Sequence, residues 1–128
     1  MSRYLIDTHT AIWFFDGDGR LSKNADKIIR NRSNSIYLSI ASVWELAIKV
    51  CLGKLDFKGK AAGFIRLAET NDIIILPIKT AHLTTLETLP MHHRDPFDRI
   101  LIATAIAEQM TLITTDENTP KYEVSHIW

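Results

Sequence analysis

The stretch Arg94-Asp95-Pro96-Phe97-Asp98-Arg99, followed without a break by Ile100-Leu101-Ile102-Ala103-Thr104-Ala105-Ile106-Ala107, constrains this chain more than any other. Asp95 is a good N-cap. Pro96 suits the first helical position, where its missing N–H would have had no helical partner. Asp98 then stands in the first turn, where the helix dipole stabilises an anion. The apolar and small-residue run behind it predicts a helix over residues 95–110 that is buried on most sides. A carboxylate is thereby held in a fixed place at the protein's edge, on a helix that enters the core.

Short strands and helices alternate through the rest of the chain. Arg3 to Ile6 reads as a buried strand ending at Asp7, and Ala11 to Phe15 as a short helix stopped by Asp16-Gly17-Asp18-Gly19. Ser22 is a candidate N-cap for a helix from Lys23 to about Arg32, ahead of a strand at Ile36 to Leu38. A helix opening at residues 39–42 carries Ile40, Val43, Trp44, Ala47, Ile48 and Cys51 at helical spacing, which predicts that they face inward, with Gly53 as its terminator. Residues 61–71 read as a helix and 73–76 as a strand ended by Pro77. A short helix over 80–87 and a loop over 88–94 with His92 and His93 follow. Beyond the 95–110 helix come a strand at 111–115, ending at Asp116, and an edge strand at 124–128. This alternation predicts a three-layer α/β/α fold over residues 1–128, one domain, with a mostly parallel sheet of four to five strands.

Composition narrows the setting. A chain of 128 residues can bury a stable core without staples. The lone Cys51 excludes an intrachain disulfide, points to a reducing cytoplasm and is expected in the core. No long apolar region precedes Asp7, so no secretory signal is expected, and residues 73–77 are too few to span a bilayer. A formal net charge of zero argues against broad electrostatic binding of nucleic acid and leaves room for a local basic rim.

Sites on open parallel sheets form outside the carboxyl ends of the strands. Asp7 and Asp116 directly follow predicted strands, while Glu45 and Asp98 lie near the starts of helices that follow strands, so all four can converge on one edge. Converging carboxylates repel one another and tend to be neutral, paired or metal-bound. Hard divalent cations such as Mg²⁺ or Mn²⁺ take oxygen ligands and activate water for phosphodiester cleavage. Each acid also has a plainer role open to it: Asp7 as a helix cap, Glu45 as a partner of Lys49, Asp98 as a dipole-stabilising acid beside Asp95, and Asp116 as a turn residue. An acid at every predicted strand exit favours the joint reading.

These residues resemble those of PIN-domain ribonucleases, and in particular the VapC-type toxins of type II toxin–antitoxin pairs. The matching stretches are Tyr4-Leu5-Ile6-Asp7-Thr8-His9, Ser42-Val43-Trp44-Glu45-Leu46-Ala47-Ile48-Lys49 with Gly53-Lys54-Leu55, His93 to Arg99, Leu112-Ile113-Thr114-Thr115-Asp116, and Ile127-Trp128. The resemblance implies Mg²⁺- or Mn²⁺-dependent endonucleolytic cleavage of RNA, inhibition by a cognate antitoxin and a tendency to homodimerise, with no membrane partner. It carries the metal-site roles onto Asp7, Glu45, Asp98 and Asp116. Asp7 and Asp98 are read as direct ligands, Glu45 as a ligand directly or through water, and Asp116 as completing the site at the same metal or a second one. Thr8 and Thr115 are candidate hydrogen-bond donors to these carboxylates. Lys49, Arg94 and Arg99 are candidate contacts to RNA phosphate, and His9, His92 and His93 candidate contacts to substrate, against the plainer reading of solvated surface groups. Trp13, Phe14, Phe15 and Trp44 are read as core or interface. Two rivals remain: a PIN-like interaction module without chemistry, and an aspartyl phosphatase of the haloacid-dehalogenase type, which wants an acid where His9 stands.

Overall fold

Leu5 and Ile6 are adjacent and both fully buried, yet they pack into different cores, one on each side of a sheet. Successive strand side chains point to opposite faces, so this alone requires cover on both faces. Leu112 and Ile113 divide in the same way. A computed structural model describes residues 2–128 and shows the layers. The elements in chain order are β1 (Arg3–Ile6), α1 (Thr8–Asp16), α2 (Lys23–Arg30), β2 (Ser35–Ser39), α3 (Ile40–Cys51), α4 (Lys60–Thr70), β3 (Ile74–Leu76), α5 (Thr80–Thr88), α6 (Pro96–Glu108), β4 (Thr111–Ile113) and β5 (His126–Ile127), with a 3-10 turn at Thr119–Lys121.

The strands form one five-stranded sheet in the order β3-β2-β1-β4-β5, every neighbouring pair parallel. Tyr4 pairs with Ile36 on one side and Thr111 on the other. The chain therefore winds outward from β1 through β2 and β3, then returns to the other side of β1 for β4 and β5. The gap between β1 and β4 is the switch point at which doubly wound sheets bind ligands.

Local chemistry sets the helix starts. Ser22 accepts a hydrogen bond from the Ala25 N–H at 3.0 Å, and Ser39 from the Ala41 N–H at 3.0 Å. Asp95 accepts from the Phe97 N–H at 2.8 Å and the Asp98 N–H at 3.3 Å, with Pro96 first in α6. Ile100 to Ala105 are all buried, as the apolar run predicts.

Several expectations change. Helix α1 starts at Thr8 rather than Ala11, because Asp7 caps it by accepting from the Thr10 N–H at 2.8 Å. In α3 the buried face is Ala41, Ser42, Val43, Glu45 and Leu46, while Ile40, Trp44 and Cys51 are exposed. The helix is pressed between α4, α1 and α6, so its buried arc is turned from the one that its apolar residues suggest. Cys51, at the far end of α3, is thus a surface thiol and not core.

One glycine is required by close packing. A Cβ on Gly63, in the first turn of α4, would lie 2.6 Å from the Lys58 carbonyl oxygen, a backbone atom with no room to yield. Gly63→Ala is expected to cost about 1–3 kcal/mol of stability, read as a lower urea midpoint with an unchanged slope.

Candidate metal centre

The carboxyl edge of β1 and β4 holds the predicted acids, two of them joined by hydrogen bonds through a threonine. Asp7 leaves β1 buried, at 8% exposure. Its Oδ1 accepts from the Thr10 N–H and its Oδ2 accepts from the Thr114 hydroxyl at 2.5 Å. The Thr114 hydroxyl in turn accepts from the Asp116 N–H at 3.0 Å. One threonine thus ties the acid after β1 to the acid after β4. Thr115, the residue expected to make such a bond, is exposed. Side chains of an extended chain alternate, so only one of two adjacent threonines can face inward, and it is Thr114.

Glu45 is held by the residue after Asp7. Its Oε1 accepts from the Thr8 hydroxyl at 2.6 Å, and that hydroxyl is also hydrogen-bonded with Ser42 at 2.9 Å. Its Oε2 pairs with Lys49 Nζ at 2.8 Å, one turn along α3. The predicted pair therefore exists, but Glu45 is 4% exposed and is not a solvated surface acid. Asp98 projects from the first turn of α6 toward Asp116. Between them stands the ring of His93, whose Nε2 lies 2.7 Å from Asp116 Oδ2 and 3.1 Å from Asp98 Oδ2. The tight trio of donor atoms is thus His93, Asp98 and Asp116, all within 4.8 Å of one another, with Asp7 and Glu45 beside it through Thr114 and by charge.

Electrostatics mark the same place. Burial pushes the Asp98 carboxyl up to about 7, and the charges of Asp95, Asp116 and Glu45 add to the rise while His93 opposes it. Burial also raises Asp7, against the stabilising hydrogen bonds from Thr10 and Thr114. Both acids resist ionisation where they stand, and a nearby cation would reverse that. Carboxylate oxygens are the donors that Mg²⁺ and Mn²⁺ prefer, so the residues present fit such an ion.

The basic and aromatic candidates sort by their partners. Arg99 directs its guanidinium into the 88–94 loop, donating to the carbonyls of Pro90 at 2.9 Å and His93 at 3.4 Å and to the Tyr122 hydroxyl at 3.3 Å. Those donors brace the loop. Lys49 is engaged with Glu45. Arg94 is exposed and has no side-chain partner among the described residues. Trp44 is 59% exposed and packs edge-to-face on Phe97 at 5.2 Å, so it is rim and not core. Phe14 is buried, and Trp13 and Phe15 are half-buried against the same core. His9 is exposed at the edge and lies against Trp13.

His93 was legible only as half of a loop histidine pair, because a loop has no periodicity from which to read a facing direction. The available signal was its position two residues before the Asp95 cap. Asp95 itself is taken up with capping α6, leaving Asp98 as the acid that faces the site.

A parallel doubly wound sheet with carboxylates gathered at its switch point places the chain among the α/β proteins whose ligands sit at the carboxyl edge of the sheet. The model of the PIN domain family matches residues 4–124, and the chain belongs to that family. This sets aside the haloacid-dehalogenase reading. Solved structures that share the fold include VapBC2 from Rickettsia felis bound to a promoter DNA fragment, with 17% identity, a TM-score of 0.75 and 98% of each chain covered. FitAcB from Neisseria gonorrhoeae has 19% identity and a TM-score of 0.66 over 98% of this chain and 96% of that one. The sarcin–ricin loop cleaving toxin VapC20 from Mycobacterium tuberculosis has 12% identity and a TM-score of 0.69 over 97% and 98%. At these identities the likeness is one of fold. A search of curated proteins gives no match to this sequence. Among the described residues no helix is long and apolar enough to cross a membrane.

Thr114→Val keeps the shape of the side chain and removes the link between Asp7 and Asp116. Hydrogen-bond partners of metal ligands typically contribute about 10–100-fold to affinity, so Mn²⁺ binding measured by calorimetry is expected to weaken about tenfold.

Proposed function

We propose that this chain is a divalent-metal-dependent endoribonuclease and the toxin of a toxin–antitoxin pair. The observation that carries the reading is the gathering of carboxylates at the switch point of a PIN fold, with Asp98 and Asp116 on either side of the His93 ring and Asp7 joined to Asp116 through Thr114. The family supports it, as do neighbours of nearly equal length that are described as VapBC toxin–antitoxin complexes and as a toxin cleaving the sarcin–ricin loop. By the same reading its partners are RNA, a cognate antitoxin and a second copy of the chain, and its ion is Mg²⁺ or Mn²⁺.

Asp98 and Asp116 would hold the cation, with Asp7 completing the set and Glu45 binding it directly or through water. The ion would supply a water of lowered pKa and neutralise charge on the phosphate. The chain's own part is positional. Thr8 and Lys49 fix both oxygens of Glu45, which is then placed to orient the attacking water. Asp7 is locked by Thr10 and Thr114. Exposed Arg94, next to the α6 cap and without a side-chain partner among the described residues, is a cation well placed to meet the RNA backbone.

The test is incubation of total cellular RNA with purified protein freed of antitoxin, with Mn²⁺, Mg²⁺ or EDTA. Discrete fragments that appear only with metal are expected. A folded, metal-loaded protein that cleaves nothing would overturn the reading in favour of an interaction module.

A further inference from the structure

His93 has three anchors. Its backbone N–H donates to the Tyr122 hydroxyl at 2.8 Å, and its carbonyl accepts from Arg99 at 3.4 Å. Its ring Nδ1 accepts the Asp95 N–H at 3.2 Å. Tyr122 is itself buried, at 5% exposure. The neighbouring His92 is exposed and only packs its ring edge-to-face on Tyr122, so the two histidines of the pair have separate parts.

The third anchor decides the chemistry. A nitrogen that accepts a backbone N–H carries no proton, so in the neutral ring the proton sits on Nε2. Nε2 faces two carboxylate oxygens: it donates to Asp116 Oδ2 at 2.7 Å and lies 3.1 Å from Asp98 Oδ2 in a close electrostatic contact. Were Nε2 to ligate a cation, Nδ1 would have to carry the proton and would meet the Asp95 N–H donor to donor. The ring is therefore oriented to hold the carboxylates rather than to bind the ion. Two like charges this close repel, and a fixed N–H between them offsets part of that repulsion before any ion arrives.

We propose that His93 is a positioning residue whose Nε2–H, set by the Asp95 backbone, keeps the Asp98 and Asp116 carboxylates aimed at a common point for a divalent cation. This rests on the reading of those two acids as metal ligands. Preorganised ligands bind more tightly because less ordering is left to the binding step.

The experiment is Mn²⁺ affinity, from the EPR signal of free Mn²⁺, for the full chain and for His93→Ala and His93→Gln. ¹⁵N-histidine NMR of the unmodified protein, with and without Mg²⁺, accompanies it. Gln offers an amide N–H near the Nε2 position, whereas Ala offers none. Expected are about tenfold weaker Mn²⁺ binding in His93→Ala, as for other hydrogen-bond partners of metal ligands, and recovery of most of that loss in His93→Gln. The Nε2 proton of His93 is expected to be retained with Mg²⁺ bound, a readout that needs no variant to fold. Unchanged Mn²⁺ affinity in His93→Ala, or a deprotonated Nε2 in the Mg²⁺ form, would overturn the proposal. If the unmodified chain binds Mn²⁺ and cleaves RNA while His93→Ala binds as tightly, only the positioning role falls. If the unmodified chain binds no Mn²⁺, the nuclease reading falls with it.

Discussion

Asp98→Asn is expected to lower metal-dependent RNA cleavage by about 10²–10³-fold, the range seen when one preorganised electrostatic group is removed from an active site. The substitution conserves shape and the α6 cap, because the cap is made by Asp95. It removes the charge that burial and the neighbouring Asp95, Asp116 and Glu45 oppose. The metal-free variant is therefore expected to melt no lower than the original at pH 8, and the loss of cleavage cannot then be laid to unfolding. Single-turnover cleavage beside a thermal melt checks both halves. Activity within a few-fold of the original would remove Asp98 from the metal site.

The second large effect is on pH. In the folded chain the Asp98 carboxyl is raised from 3.8 to about 7. Between those values the folded state holds a proton that the unfolded chain has released. Stability of the metal-free protein therefore falls as pH rises through that window, by up to ~1 kcal/mol per pH unit, and levels off above about 7. Buried Asp7, raised in the same direction, adds with the same sign. A cation must displace the Asp98 proton, so its affinity runs the other way, rising about tenfold per pH unit up to about 7 and then flattening. Mn²⁺ titrations and melts at pH 5, 6, 7 and 8 read both curves. Flat Mn²⁺ affinity across this range would mean that Asp98 is ionised throughout and that its neighbours do not press on it.

The elements of the fold were legible because they are local. β1 runs from Arg3 to Ile6 as its apolar run predicts, Ser22 and Asp95 cap the helices they precede, and β5 pairs at the edge of the sheet. The positions of Asp7 and Asp116 at strand ends, and of Asp98 behind its Asp95 cap, were legible for the same reason, since strand ends and helix caps can be seen in the sequence. The face of α3 was not. Its apolar residues lie around much of the helix, and the arc that packs is chosen by α1, α4 and α6 together, which buries Glu45 and leaves Trp44 in solvent.

By itself, then, the sequence determined a parallel α/β sheet whose strand exits carry acids, because hydrophobic period, caps and breakers act over a few residues. Only the tertiary structure decided how those acids are held. Thr114 and not Thr115 reaches Asp7, Arg99 braces the 88–94 loop, and His93 stands between Asp98 and Asp116. Each of these contacts joins segments with no fixed spacing in the chain. Its geometry comes from the packing of α6, the 88–94 loop and the end of β4 against one another, and no local preference of any one segment specifies it.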